Sequence, residues 1–499
     1  MTPARPTYSF GPLERRGILG AVRAGQAGVV GLGALLAIAA LDEAPTADGA
    51  LLALLLFAAA VVFAVAPLGS RTLQEWAPIA AAFAVRRARG VTRLRSPAPG
   101  QGMRLRAGAG SGQVELRHPD PAPPAALSGV RIREAAYRDR PIGILSEREG
   151  RLLTAVLACR VLAFALLDPE AQERRLARWG LVLSGAAGTS IRRIQWIERT
   201  APAQGDELAR WLHSERDPAI PLRGAPMIES YLELISTTAR VTQEHEILIA
   251  VQVDARRARG RGGDAIVRAL IEETERVAQG LEAAEVLVLG ALSSGQLARA
   301  LRTAFDPYAR AELTALETAD PSREGLAAAN AWPLGASESW DHYRSDGSLH
   351  ATYWIGGWPR IDVSPMFMEA LLGRSSAVRT VAVTFEAIPS GRSTREVEAA
   401  ITRDRADSEL RRRFGQAETA RQRQAQDATM RREAELAAGH GEVRLAGFVT
   451  VSGRDENDLR RAIAEVLEHA ARARLELHRM YGQQADTFTF TLPLCRGLR

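Results

Sequence analysis

The chain contains no lysine, because all 64 of its basic residues are arginine in a sequence of 499 residues. A Walker A loop is therefore excluded, since that loop holds nucleotide phosphates through a lysine. A Schiff-base lysine and a lysine general base are excluded as well. Asparagine is also scarce, and Asn330 and Asn457 are the only two. The chain is thus not expected to hydrolyse nucleotides as a P-loop motor.

Cysteine is nearly absent. Cys159 and Cys495 lie far apart in hydrophobic surroundings, which favours two buried free thiols over a disulfide or a metal site and fits a reducing cytoplasm. His342 and His350 have Asp341 nearby, but their separation matches no standard zinc spacing. No other catalytic constellation stands out. We therefore predict no enzyme, no metal and no cofactor.

Acidic residues nearly balance the arginines. The formal net charge is +6 and the pI is about 9.8, which indicates weak attraction to anionic surfaces. The arginines between residues 403 and 413 are interspersed with Asp404, Asp407 and Glu409, which largely cancel their charge. Because nucleic-acid binding needs a concentrated basic surface, we do not expect direct nucleic-acid binding.

Two uncharged apolar runs lie near the N-terminus, at residues 24–41 and 49–70. A bilayer core is crossed by about 20 apolar helical residues, so the two runs predict a transmembrane hairpin in the plasma membrane. The turn between them, residues 42–48, is acidic and contains a proline. A buried helical hairpin of a soluble protein is the alternative.

Arginines flank this hairpin on both sides, at Arg15, Arg16 and Arg23 before it and at Arg71 and Arg86 after it. Arginine-rich flanks face the cytoplasm. We therefore expect both termini in the cytoplasm and the acidic turn outside.

The remaining chain reads as α+β. Residues 71–89 predict an amphipathic helix in the membrane interface, which completes a first segment of residues 1–95. Residues 96–128 are rich in Gly and Pro and predict a flexible linker. A mixed α/β cytoplasmic body follows, with one domain over residues 129–330 and another over 331–499. We expect its strands to form separate small sheets.

Local patterns place most elements of the body. Asp168 and Ser293 have the features of helix N-caps. The apolar run 152–167 predicts one strand or two. Other strands are expected at residues 130–137, 142–145, 191–198, 246–253, 286–289, 351–355, 379–386, 443–451 and 475–480. Helices are expected at residues 169–184, 226–240, 264–284, 296–304 and 458–473.

A long charged helical region is predicted within the second domain. Ser393-Thr-Arg-Glu396 has the pattern of a capping box, and the helical pattern continues to about residue 438, with a break suggested at Gly415. Apolar positions are sparse in this region. It reads either as a solvated arm or as a protruding hairpin that binds a partner.

Two short stretches hold candidate interaction residues. Aromatic residues cluster around residues 340–358, where they fit either core packing or an exposed interface. Near the C-terminus, Phe488 and Phe490 alternate with threonines and predict a strand with both rings on one face. Such a strand could extend a partner's sheet or belong to the core. The candidates are Trp340, His342, Tyr343, Arg344, Tyr481, Gln483, Gln484, Phe488 and Phe490.

These stretches carry a family resemblance. The segment from residue 229 to residue 307, Trp-Asp-His-Tyr-Arg at residues 340–344 and Tyr-Gly-Gln-Gln at residues 481–484 resemble the N-terminal, non-motor half of conjugation-type (type IV secretion) ATPases. The hairpin with Thr72-Leu-Gln-Glu-Trp76 resembles their PrgI-type, two-helix membrane subunit. The whole chain is similar to an actinobacterial membrane-protein family that fuses these two pieces.

The resemblance implies an inner-membrane platform of a type IV-like conjugation or secretion apparatus. A separate P-loop ATPase would dock on it, and other membrane subunits would join it in an oligomer. Two alternatives stay open. One is a type VII secretion membrane component of the EccE kind, which also places a membrane pair before a cytoplasmic domain. The other is a membrane-anchored enzyme of unknown class.

Overall fold

The computed structural model describes residues 24–499 with several gaps. Residues not described after residue 23 are 70, 97–103, 108–113, 118–120, 138–139, 162–163, 203–225, 228, 231–232, 234–242, 259, 261, 311–312, 314–325, 360, 374, 414–419 and 499. The chain divides into two units. The larger contains the described parts of residues 92–395 and 435–499, and the smaller contains those of residues 11–91 and 396–434.

The structure defines eleven helices across the described residues. They are α1 (Ala24–Glu43), α2 (Ala47–Val65), α3 (Leu73–Ala88), α4 (Pro169–Gly185), α5 (Gly263–Ala283), α6 (Ser294–Phe305), α7 (Glu369–Leu372), α8 (Ser390–Arg413), α9 (Ala420–Ala437), α10 (Glu456–Arg472) and α11 (Gln484–Phe488).

The strands begin with two short hairpins, β1 (Pro67–Leu68) with β2 (Arg71–Thr72) and β4 (Arg104–Ala107) with β5 (Val114–Arg117). The other strands are β3 (Arg93–Arg95), β6 (Arg131–Tyr137), β7 (Arg140–Glu147), β8 (Leu152–Arg160), β9 (Ile191–Pro202), β10 (Gln243–Asp254), β11 (Leu287–Ala291), β12 (Gly335–Glu338), β13 (Tyr343–Ser345), β14 (Ser348–Gly357), β15 (Val378–Ile388), β16 (Glu442–Gly453) and β17 (Glu476–Arg479).

In the smaller unit, α1 and α2 pack as a hairpin. The helices approach closely at Gly33, where an added Cβ would lie 2.2 Å from the Cβ of Ala60. Gln26 donates a hydrogen bond to the Ala64 carbonyl at 3.1 Å, which satisfies its amide between the helices. Only 6% and 17% of the apolar windows of the two helices are buried. A core helix of a soluble protein would be mostly buried, so the low burial favours the membrane interpretation.

Helix α3 follows the hairpin, as the sequence predicts. At its start, the Thr72 amide donates to the Glu75 carboxylate at 3.0 Å. Ile79 and Phe83 are buried on one face, while the Trp76 indole donates to the Leu68 carbonyl at 2.9 Å. The helix is therefore amphipathic, with basic residues in its last turn.

The charged helical region consists of α8 and α9. The capping box expected at Ser393 is wrong, because α8 already begins at Ser390 and places the Ser393 side chain in a buried position inside the helix. The break suggested at Gly415 lies outside the described residues. The helices run antiparallel: Arg432 pairs with Glu396 at 4.0 Å, and Thr429 lies 3.4 Å from Asp404.

The larger unit is built on one antiparallel sheet of 13 strands. Its order is β3-β12-β13-β14-β16-β15-β9-β10-β8-β7-β6, with β11 also beside β8 and β17 also beside β14. The expectation of separate small sheets is wrong for this part of the chain. Strands β9 and β15 join at its centre, where Ile197 pairs with Ala382. The domain boundary expected between residues 330 and 331 therefore runs through a single sheet.

Both faces of this sheet are covered, because side chains on successive strand residues point to opposite faces. On one face, α4, α5, α7 and α10 pack over clusters that both contact Trp196. On the other face, α6 and the C-terminal segment pack over Ile197 and Ala382 through Phe305 and Phe488. The long central strands are consequently apolar on both sides.

The two halves of the sheet repeat the same sequence of elements: a hairpin, a helix, a long strand, an insertion, a second long strand, a helix and a short strand. The repeat extends to the turn after α5 and α10. Glu285 and Arg474 both adopt left-handed backbone, with φ of 61° and 58°. Val286 then donates to the Leu281 carbonyl, and Leu475 to the Ala470 carbonyl. The halves are thus related by an approximate twofold axis through the β9–β15 pair.

Most elements of the body lie where the sequence predicts them, and Asp168 and Ser293 cap α4 and α6. The helix expected over residues 226–240 falls largely outside the described residues. Two other segments contain short elements that the sequence did not predict. The apolar run 152–167 is one strand followed by a 3-10 turn, Phe164–Leu166. The expected linker holds the β4–β5 hairpin and a second 3-10 turn, Ala125–Leu127, whose Leu127 is buried.

The strand expected around Phe488 is wrong, because the chain forms α11 and then a 3-10 turn, Thr489–Thr491. The threonine hydroxyls explain the difference. Thr487 Oγ1 donates to the Gln483 carbonyl at 2.7 Å, and Thr491 Oγ1 to the Phe488 carbonyl at 3.0 Å. Such local bonds satisfy threonine hydroxyls inside helical turns, so these polar side chains can be buried beside the two rings.

Candidate interaction site

The structure brings together two stretches that the sequence analysis singled out separately. The rings of Trp340 and Tyr481 stack with centroids 6.4 Å apart and planes 25° apart. Beside them, the Gly482 amide donates to the Trp340 carbonyl at 2.6 Å. The loop after β12 and the loop after β17 therefore form one surface feature, although Trp340 and Tyr481 lie 141 residues apart.

Arg479 holds this feature together. Its guanidinium carbon lies 5.5 Å from the ring centroid of Tyr481 and 5.9 Å from that of Tyr353. Its Nε donates to the Asp341 carbonyl at 2.8 Å. An arginine over an aromatic face is attracted by the ring quadrupole, so Arg479 fixes both rings. We call Trp340, Arg479 and Tyr481 the aromatic patch, which contacts the buried Tyr353 through Arg479.

The sequence analysis missed Arg479, and it included Tyr353 only among the aromatic residues around residues 340–358. The two residues face each other across the β14–β17 pair. A usable signal was present, since residues 475–480 were already expected to form a strand. The sequence did not indicate that this strand pairs with β14, and the contact between Arg479 and Tyr353 depends on that pairing.

Trp340, His342, Tyr481 and Gln483 are partly exposed. The His342 Nδ1 lies 2.8 Å from an oxygen of Asp341, which adds a polar edge to the aromatic patch. Trp, Tyr and Arg are the residues most often responsible for binding energy in protein interfaces. The arrangement therefore suits contact with another protein. Arg344 is exposed on the neighbouring strand.

Tyr343, Gln484 and Phe488 lie in the interior, and Phe490 is partly buried. Gln484 is fully buried: its Oε1 accepts from the Thr352 amide at 2.8 Å, and its Nε2 donates to the Met480 carbonyl at 3.0 Å. Phe488 packs against Tyr343 with centroids 5.2 Å apart. Phe490 packs against Phe448 at 4.9 Å. We therefore leave Tyr343, Gln484, Phe488 and Phe490 out of the aromatic patch.

His350 also belongs to the interior and lies apart from the exposed His342. Its ring nitrogens lie 2.8 Å from the hydroxyls of Ser345 and Ser452, and Nε2 lies 3.0 Å from the Phe305 carbonyl. Burial lowers the pKa of His350 to about 4. The ring is therefore neutral near pH 7, and its polar contacts stabilise the core.

Burial also determines the reactivity of the two cysteines. Both thiols are buried and free, and burial raises the pKa of Cys159 to about 12. Burial raises the pKa of Cys495 as well. Since the thiolate is the reactive form, neither cysteine is suited to nucleophilic or redox chemistry. Across the part of the chain that the structure describes, no three His, Cys, Asp or Glu side chains come together in a metal-binding group.

Comparison with protein-family models finds one match. The model of the family described as "type VII ESX secretion system translocon, EccE" matches residues 219–355, a little over a quarter of the chain. The matched segment runs through β10–β14 and includes Trp340 and its neighbours. A search of curated proteins found no match. Together with the two apolar helices, the match supports a membrane component of a secretion system, and over residues 219–355 the chain is similar to the EccE family.

Proposed function

We propose that this chain is a membrane-anchored structural subunit of a type VII secretion apparatus, similar in role to EccE. The match over residues 219–355 carries the proposal. The α1–α2 hairpin supports it, because both helices are long and apolar enough to cross a bilayer. Of the two secretion-system hypotheses, the match favours type VII. The type IV platform with a docked P-loop ATPase gains no support from it.

In this proposal the chain contributes binding surface and no catalysis. The hairpin anchors it in the plasma membrane with both termini in the cytoplasm. The sheet body presents the aromatic patch to a neighbouring membrane subunit of the same assembly. The patch suits this task because its rings are held by stacking and by Arg479 before a partner arrives, which lowers the ordering cost of binding.

The decisive experiment is affinity purification of the tagged full-length chain from gently solubilised membranes, followed by identification of its partners. We expect the other membrane subunits of a type VII system to copurify. Deletion of the gene should stop export by that system. Recovery of a conjugation-type ATPase instead would favour the type IV alternative and contradict the proposal.

Substitution tests the role of the aromatic patch. Trp340→Ala should reduce subunit recovery, because truncation of a central aromatic residue often costs over ~2 kcal/mol, about 30-fold in affinity. Leu181→Ala is the matched control, since Leu181 is 70% exposed on α4. Equal protein levels with reduced recovery for Trp340→Ala alone support the patch as the contact. Undiminished recovery of all subunits would eliminate it.

A further inference from the structure

A cavity of about 420 Å³ lies in the larger unit, at the end of the sheet where the β7–β8 turn meets the C-terminal segment. Four arginines line it, at positions 148, 192, 193 and 496, and the lining holds one carboxylate, Glu147. Small-molecule sites typically measure about 300–1,000 Å³. The cavity thus has the size of a ligand site and an excess of positive charge.

Two of these arginines form the wall and are held by the protein. Arg193 donates to Glu386 at 3.0 Å, to the Cys495 carbonyl at 3.2 Å and to the Leu498 carbonyl at 2.8 Å. Arg496 binds Glu147 and donates to the Ala126 carbonyl at 2.9 Å. The single carboxylate of the lining is therefore neutralised by Arg496, and the wall is rigid before any ligand enters.

Arg192 is placed differently. Within the described residues its charge has one ion pair, to Asp254 at 3.7 Å. That carboxylate is already bound by two nitrogens of Arg151 at 3.2–3.3 Å and by the Arg256 amide at 3.0 Å. Burial lowers the pKa of Arg192, and the neighbouring charges of Arg193 and Arg148 add to this shift, while the carboxylates of Glu386 and Asp254 offset part of it. A partly buried guanidinium among like charges would be stabilised by an anion.

At the rim of the cavity, two residues adopt a backbone conformation that is unfavourable for residues other than glycine. In the β7–β8 turn, Arg148 and Glu149 adopt left-handed φ values of 50° and 59°. Residues other than glycine seldom adopt such values. In the two-residue turn at the equivalent place in the second half, only Asp346 adopts a left-handed φ, of 47°. The first turn instead places an exposed arginine beside Arg192.

We propose that this cavity binds a small soluble phosphorylated molecule, whose phosphate is held by Arg192 and Arg148. An arginine fork matches phosphate geometry and can donate two parallel hydrogen bonds. Leu152, Phe490 and Leu494 supply an apolar wall for the organic part. The site is independent of the aromatic patch and of the proposed secretion role. The bound molecule would bridge the C-terminal segment to the β7–β8 turn and stabilise both.

Calorimetry with the purified full-length protein in detergent tests the proposal, with pyrophosphate and glycerol 3-phosphate as probes. We expect saturable binding with one site per chain. Arg192→Gln should weaken it at least tenfold, and Arg148→Gln should do the same without affecting folding, because Arg148 is exposed. Arg460→Gln is the charge-matched control on α10, where Arg460 binds Asn457.

The site is supported if Arg192→Gln and Arg148→Gln both weaken binding of the probe. Arg460→Gln and chloride at an equal ionic strength should leave that binding unchanged. Absence of saturable binding of either probe at millimolar concentration would overturn the proposal. So would equal weakening by Arg460→Gln, since that pattern reports only the general charge of the protein. Unchanged affinity in Arg148→Gln would remove the turn from the site and refute the assignment.

Discussion

The buried His350 makes the stability of the body sensitive to acid. Its ring is fully buried, and the rings of Phe488 and Tyr343 lie 4.8 Å and 6.3 Å away. Burial lowers its pKa from 6.5 to about 4. In the unfolded chain the ring regains its ordinary pKa, so it binds a proton at a higher pH than in the folded chain. Unfolding is therefore favoured by acid below pH 6.5.

The sign and size of the change in stability with pH follow from this pKa difference. Above pH 7 the ring is neutral in both states and contributes no pH dependence. As the pH falls from 6.5 towards 4, the unfolded state gains protons first and the folded state loses stability. Between pH 7.5 and pH 4.5 the loss is about 2–3 kcal/mol in the free energy of unfolding, from 1.36 kcal/mol per pKa unit.

Denaturant unfolding of the full-length protein, followed by tryptophan fluorescence, measures this loss. Other groups titrate in the same range, so the comparison is between the wild type and His350→Gln. The variant should be less stable at pH 7.5, because the glutamine cannot reproduce the contacts with Ser345 and Ser452. It should then lose about 2–3 kcal/mol less than the wild type on acidification to pH 4.5. Parallel loss in both proteins would refute the reasoning.

Three further outcomes are expected. A reporter inserted at residue 45 should lie outside the cell and one at residue 499 inside; a cytoplasmic signal at residue 45 would contradict the hairpin topology. Purified protein should not hydrolyse ATP, because no lysine is available for a P-loop; turnover that survives rigorous purification would promote the enzyme alternative. Phe488→Ala should destabilise the body by about 3–5 kcal/mol, because the ring is buried against Phe305 with centroids 5.2 Å apart. Its protein level should fall, whereas normal expression with lost partner recovery would indicate a docking role.

The aromatic patch shows how far sequence reasoning reached at the candidate site. Trp340 and Tyr481 were recognisable as unusual aromatic residues, but nothing local indicated that they stack. Arg479 was missed because its role depends on Tyr353 across the β14–β17 pair. Gln484 was chosen by residue type, and Phe488 by its alternation with threonines. Both side chains are buried because the chain forms helical turns that the threonine hydroxyls stabilise. The alternation of Phe and Thr at residues 487–491 is typical of a strand and therefore did not predict those turns.

By itself, the sequence determined the features that depend only on residues close together along the chain. The apolar runs predict α1 and α2 because helix length and hydrophobicity are local properties. Asp168 and Ser293 likewise predict the starts of α4 and α6 through capping bonds within one turn. Only the tertiary structure decided that 13 strands form one sheet with two similar halves. Ile197 and Ala382 pair at its centre across 185 residues of chain. The alternation of side chains along a strand indicates which face of the strand is buried, but it does not indicate which strand lies beside it.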